Sequence, residues 1–136
     1  MIMKSILIAV LMGGAILLGI SCCATVPKGP LAAGELRLLG IEVLEKESIK
    51  ANLPFMVSIN FEADGKPEIR TACFDFSGDG PYCFKVKSIE YGSPGRMKVQ
   101  IRIKNPGPTF LEGYVLYIRN GKAQPTNLVS TNFRVP

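Results

Sequence analysis

The side chains of this chain that could do chemistry are thiols, carboxylates and basic groups, because the sequence contains four cysteines and no histidine. Histidine is the commonest general base and metal ligand at neutral pH. The sequence also lacks a Gly-x-Ser-x-Gly elbow, a phosphate-binding loop and a cluster with metal-ligand spacing. The acidic residues near predicted turns or on predicted outer faces are Glu62, Asp64, Glu68, Asp75 and Asp79. We therefore expect neither catalysis nor a cofactor.

One acidic stretch, residues 75–80, resembles the first half of a calcium-binding loop. Asp75, Ser77 and Asp79 place oxygen atoms at alternate positions before Gly80, which would make the sharp turn. The full motif requires a glutamate at its twelfth position, where Val86 stands, and flanking helices, where strands are predicted. Ordinary turn chemistry is the favoured alternative, since Asp, Ser and Gly are common turn residues.

The N-terminal stretch predicts where the protein works. Lys4 is the only charged residue before an apolar run of about 15 residues, which is too short for a spanning helix and typical of a signal peptide. The stretch 18–22, Leu-Gly-Ile-Ser-Cys, resembles the lipobox of bacterial lipoproteins. Small Ser21 precedes the expected cut, although Gly19 stands where the family usually has leucine.

The lipobox resemblance implies that residues 1–21 are removed and that Cys22 is acylated, with Cys23 as the rival acceptor. An ordinary cleaved signal peptide and a retained membrane helix are the alternatives. In this family an aspartate after the acylated cysteine favours the inner membrane, and Cys23 is not aspartate. The resemblance therefore implies attachment through membrane lipid, at the outer membrane, facing the periplasm or the cell surface.

The two remaining cysteines are predicted to form a disulfide. A leader of this kind sends the chain to an oxidising compartment, where disulfides persist. Strand alternation places Cys73 and Cys83 on the face opposite the phenylalanines, and a hairpin centred on residues 77–79 places them directly across from each other. Cross-strand neighbours of this kind are about 4.5 Å apart at Cα, which a disulfide can span.

The rest of the chain is predicted to be a tether, residues 22–34, followed by one all-β domain, residues 35–136. Proline and glycine are frequent in the tether, whereas the domain shows apolar residues with a period of two. About seven strands with turns every 8–12 residues are typical of a two-sheet β-sandwich. The predicted strands are residues 39–44, 55–62, 69–76, 82–89, 96–104, 110–119 and 128–135.

This pattern resembles the immunoglobulin and fibronectin type III sandwiches. The stretch 113–117, Gly-Tyr-Val-Leu-Tyr, is similar to the tyrosine-corner region of those folds, although the core tryptophan and the inter-sheet cysteine pair of true immunoglobulin domains are missing. A tight Asp64-Gly65 turn predicts that the second and third strands pair. An up-and-down meander or a small barrel is therefore the alternative fold.

The formal net charge of +5 favours an anionic partner. Basic residues on two predicted strands form a candidate surface for acidic protein, polysaccharide or lipid headgroups: Lys85, Lys87, Arg96, Lys98, Arg102 and Lys104. No aromatic residues alternate with these charges, which argues against nucleic acid. We expect a lipid-anchored, non-catalytic domain that binds a protein or another cell-envelope component. The alternatives are an accessory subunit of an envelope complex and a carrier of a small ligand or Ca²⁺.

Overall fold

The computed structural model describes residues 26–136, and the domain within them is all-β, as predicted. One turn of 3-10 helix, Lys46–Ser48, interrupts the strands. No helix within these residues has the length and hydrophobicity needed to cross a membrane. The strands are β1 (Leu36–Val43), β2 (Phe55–Ala63), β3 (Glu68–Phe76), β4 (Asp79–Glu90), β5 (Gly95–Ile101), β6 (Gly107–Arg119), β7 (Lys122–Pro125) and β8 (Val129–Val135).

The strands form one antiparallel sheet of eight strands that is nearly closed like a barrel. The order is β1-β2-β5-β4-β3-β6-β7, and β8 pairs with the first half of β6. β4 connects the two parts of the sheet, because its first half pairs with β3 and its second half pairs with β5. The two-sheet sandwich is therefore not confirmed, and its likeness to immunoglobulin domains stays a prediction.

The side-chain amide of Asn127 joins β1 to the segment that leads into β8. Its Oδ1 accepts a hydrogen bond from the Leu38 N–H at 2.8 Å, and its Nδ2 donates to the Leu38 carbonyl at 3.0 Å. One amide thus satisfies both backbone groups of a residue on the outermost strand, as a neighbouring strand would do. In the interior, the rings of Phe55 and Phe133 meet edge to face at 5.9 Å.

The core follows the predicted alternation on the strands that read most clearly. On β2 and β5 the predicted inward side chains are buried: Phe55, Val57, Ile59, Phe61, Met97, Val99 and Ile101. Apolar residues on both faces of the predicted strand 110–119 indicate a central strand. This is confirmed, since β6 pairs with β3 on one side and with β7 and β8 on the other. Gly113 on β6 leaves room for Phe74, whose ring would lie 2.7 Å from an added Cβ.

The predicted inward face of the first strand is wrong in its first half. In the sequence, Leu39 alternates with polar or small residues as Ile41 and Val43 do, which predicts one shared inward face. In the structure Leu39 is 36% exposed, while Leu38 is fully buried. The register with β2 shifts between Leu38 and Gly40, so β1 contains a bulge at Leu39. A bulge adds one residue to one strand and so reverses the alternation on either side of it.

The expected pairing of the second and third strands is also wrong. β2 lies between β1 and β5, and β3 lies between β4 and β6. The polar groups of Asp64 are bound elsewhere, because its N–H donates to the Glu35 carbonyl and its Oδ2 accepts from the Gly34 N–H. The sheet is therefore not an up-and-down meander. The sequence Asn120-Gly121 predicts a hairpin turn, and this prediction is confirmed: both residues have positive φ, and Arg119 lies opposite Lys122.

The Cys73–Cys83 disulfide is confirmed. The two residues lie directly opposite each other on β3 and β4, with their Cα atoms 4.0 Å apart. Cys73 is fully buried, whereas Cys83 is exposed. The hairpin that joins them turns at Ser77 and Gly78, which both have positive φ.

The segment before β1 contacts the sheet through two arginines. Arg37 is only 5% exposed, and its guanidinium donates to the carbonyls of Gly29 at 2.7 Å and Pro30 at 3.3 Å. It also pairs with Glu62 at 3.3 Å. Arg119, at the end of β6, donates to the Ala33 carbonyl at 3.0 Å. These contacts hold part of the predicted tether against one end of the sheet.

Replacing Asn127 by alanine is expected to lower the free energy of unfolding by about 1–3 kcal/mol, because both backbone groups of Leu38 would lose their partners. Urea unfolding followed by circular dichroism measures the loss. Asn132→Ala is the matched control, since Asn132 is exposed on β8, and a change within about 0.5 kcal/mol is expected there. Equal effects of the two substitutions would contradict the role of Asn127.

Mass spectrometry tests the disulfide directly. Trypsin releases residues 71–85 as one peptide that holds both cysteines, because Arg70 precedes it and Lys85 ends it. Without reductant this peptide should be two hydrogens lighter than the dithiol and should not react with iodoacetamide. The double variant Cys73→Ala/Cys83→Ala should lose about 2–3 kcal/mol of stability for so short a loop. Alkylation of both thiols before reduction would refute the bond.

Candidate binding cleft

A cleft of about 520 Å³ opens between the β3–β4 hairpin and the segment that joins β5 to β6. The β4 side carries aromatic side chains, and the other side carries Ile103, Pro106 and Pro108. Phe76 and Tyr82 stack with their ring centres 5.8 Å apart, and Phe84 meets Phe76 at 6.4 Å. The Tyr82 side chain is 47% exposed. The cleft thus offers an apolar, aromatic wall that solvent reaches.

Charged and polar side chains surround this apolar wall. Arg102 and Lys104 line one side and Asp79 the other. The Tyr82 hydroxyl donates to Asp79 Oδ1 at 2.8 Å. This hydrogen bond, together with the nearby negative charge, raises the pKa of Tyr82 above 10.0, because both favour the protonated phenol. The hydrogen bond joins Tyr82 to Asp79 at the rim of the cleft.

Each of the three calcium candidates forms a hydrogen bond within the protein. Asp75 Oδ1 accepts from the Gly78 N–H at 2.7 Å, and Ser77 Oγ accepts from the Phe110 N–H at 2.9 Å. Asp79 accepts from Tyr82. Residues 26–136 contain no group of three or more acidic or cysteine side chains close enough to hold a metal ion. The contacts favour turn chemistry for Asp75, Ser77 and Asp79.

The predicted basic surface runs along β4 and β5 and reaches the cleft at Arg102 and Lys104. β4 and β5 are neighbours, with Ser88 opposite Lys98 and Glu90 opposite Arg96. All members of the surface are exposed except Lys98, which is half-buried, and none forms an ion pair with another residue in the described part of the chain. We call this set the basic strip: Lys85, Lys87, Arg96, Lys98, Arg102 and Lys104. Its last two members also line the cleft.

The cleft lies at the end of the sheet opposite to the end where the chain enters. Leu36, the first residue of β1, pairs with Ala63 at the end of β2, and Phe55 at the start of β2 pairs with Ile101 beside the cleft. β2 has 9 residues, so the two ends are about 25 Å apart at about 3.3 Å per residue. We call them the entry end and the cleft end.

Sequence reasoning identified the basic strip but not the cleft. By sequence, Phe76 and Phe84 belong to the apolar face of their strands, and Pro106 and Pro108 belong to a break between strands. Nothing in strand alternation shows where two paired strands separate. The predicted signal peptide and the acylation candidates Cys22 and Cys23 lie outside the described residues. The chain matches no family model, no curated protein and no solved structure.

Proposed function

We propose that this protein is a lipid-anchored, non-catalytic domain of the cell envelope that binds an anionic partner at its cleft end. The proposal rests on one observation: Arg102 and Lys104 of the basic strip also line the aromatic cleft. Aromatic side chains supply apolar contact area, and unpaired cations at the rim supply attraction and selectivity. The partner is a protein or another envelope component that carries acidic groups next to apolar ones.

The position of the chain entry supports a binding end that faces away from the membrane. Lipid on Cys22 would tether the domain through the segment that Arg37 and Arg119 hold at the entry end. The cleft, about 25 Å away at about 3.3 Å per strand residue, would then be open to the periplasm or the medium. The contacts of the segment before β1 with Arg37 and Arg119 would restrict rotation of the domain relative to its lipid anchor.

The anchor is tested by substitution of adjacent cysteines. Cys22→Ala should abolish incorporation of labelled palmitate and release the protein from the membrane fraction, because the acylated thiol is lost. Cys23→Ala is the matched control and should keep both the label and the membrane attachment. Labelling that survives in Cys22→Ala but disappears in Cys23→Ala would move the anchor by one residue. Labelling that survives in both would refute it.

The anionic-partner proposal is tested with the full-length protein in neutral detergent micelles and with polyglutamate as the probe. Arg102→Glu/Lys104→Glu should weaken binding by about tenfold or more, since attraction becomes repulsion at the cleft. Lys66→Glu/Lys122→Glu is the control, because both residues are exposed near the entry end and the net charge changes equally. Polylysine should not bind.

Two outcomes would contradict the proposal. Equal weakening by the two double variants would mean that polyglutamate senses only the net charge. Failure of the unaltered protein to bind polyglutamate at low ionic strength, where exposed charges attract over about 30 Å at 0.01 M salt, would remove the anionic partner altogether.

A further inference from the structure

The first half of β4 is paired on one side only, among the residues that the structure describes. Asp79–Lys85 pairs with β3, whereas pairing between β4 and β5 begins where Val86 lies opposite Val99. If that register continued, Cys83 would face Arg102. Instead the two segments separate and line opposite sides of the cleft. The cleft is therefore a slot in the wall of the sheet, bounded on one side by a free strand edge.

The register identifies which backbone groups this edge presents. Residues directly opposite each other are about 4.5 Å apart at Cα when they are not hydrogen-bonded, and about 5.5 Å apart when they are. The Cα atoms of Cys73 and Cys83 are 4.0 Å apart, so they form a non-hydrogen-bonded pair. The N–H and carbonyl of Cys83 consequently point away from β3, into the slot.

A free edge of this kind is matched by another polypeptide main chain. An extended peptide supplies N–H and carbonyl groups in the required alternation, and specificity then comes from the side chains on its two faces. Resting on the proposed function, we propose that an extended acidic segment of a partner protein adds to the free edge of β4 as an antiparallel strand. Every strand pair in this sheet is antiparallel.

The two faces of such an added strand would meet different surroundings. Side chains on the same face as Cys83 would lie toward Lys85 and Arg102, so acidic residues fit there. Side chains on the other face would meet Tyr82 and Phe84 on the aromatic wall, so apolar residues fit there. A segment in which acidic and apolar residues alternate satisfies both faces at once.

Backbone N-methylation separates strand addition from simple charge attraction. The probe is a labelled peptide of about seven residues with alternating glutamate and valine, sized to the free half of β4. In an antiparallel pair, the residue that exchanges both hydrogen bonds with Cys83 carries its side chain on the same face as Cys83, which makes it a glutamate. N-methylation of the glutamates removes those donors, and N-methylation of the valines alters only the other edge. Fluorescence anisotropy with the full-length protein in micelles measures the affinities.

We expect the unmethylated peptide to bind and methylation of the glutamates to weaken it by about tenfold or more, while methylation of the valines has little effect. The alternating lysine–valine peptide should not bind. No loss, or equal loss, on methylation of either set would overturn strand addition. If polyglutamate binds but the glutamate–valine peptide does not, strand addition is wrong and the proposed function stands. If neither binds, the proposed function fails as well.

Discussion

One side-chain amide, that of Asn127, connects the two sides of the sheet where β1 approaches the segment before β8. Without Asn127, the outer edge of β1 at Leu38 would have its N–H and carbonyl buried and unpaired, since Leu38 is fully buried. Buried polar backbone groups are almost always hydrogen-bonded. The amide takes the place of one pair of hydrogen bonds between neighbouring strands. It connects β1 to the segment before β8, and the rings of Phe55 and Phe133 pack edge to face in the interior. The same sheet has a second gap beside β4, which no amide among residues 26–136 bridges, and that gap is the cleft.

Local patterns in the sequence account for the strands and hairpins, and long-range contacts account for what could not be predicted. Alternation on β2 and β5, the Asn120-Gly121 turn and the Cys73–Cys83 register depend on residues near one another in the chain, and each is confirmed. The bulge at Leu39 reverses which side chains of β1 point inward, and no residue type in the sequence indicates its position. The Asp64-Gly65 turn does not form a hairpin, because Asp64 bonds to the segment before β1. The partner of Asn127 is 89 residues away, which no pattern in the sequence indicates.

The candidate site likewise has one part that local sequence patterns predict and one part that they do not. The basic strip could be predicted because its residues alternate along two predicted strands, and the register of β4 against β5 makes these strands neighbours. The cleft could not be predicted, because it exists where that register stops at Val86. Its aromatic wall consists of the inward face of the β3–β4 hairpin, continued past the point where β5 covers it. Core residues at one end of the sheet thus become a binding surface.

The measurement that tests the central claim most directly is a residue-by-residue map of the binding surface. Amide resonances of the full-length protein in micelles would be followed by ¹H–¹⁵N spectroscopy as the acidic glutamate–valine peptide is added. The account predicts shifts concentrated at residues 76–85 and 102–109, with little change at the entry end, residues 63–68 and 119–122. Shifts at the entry end, or spread evenly over all exposed lysines and arginines, would contradict it.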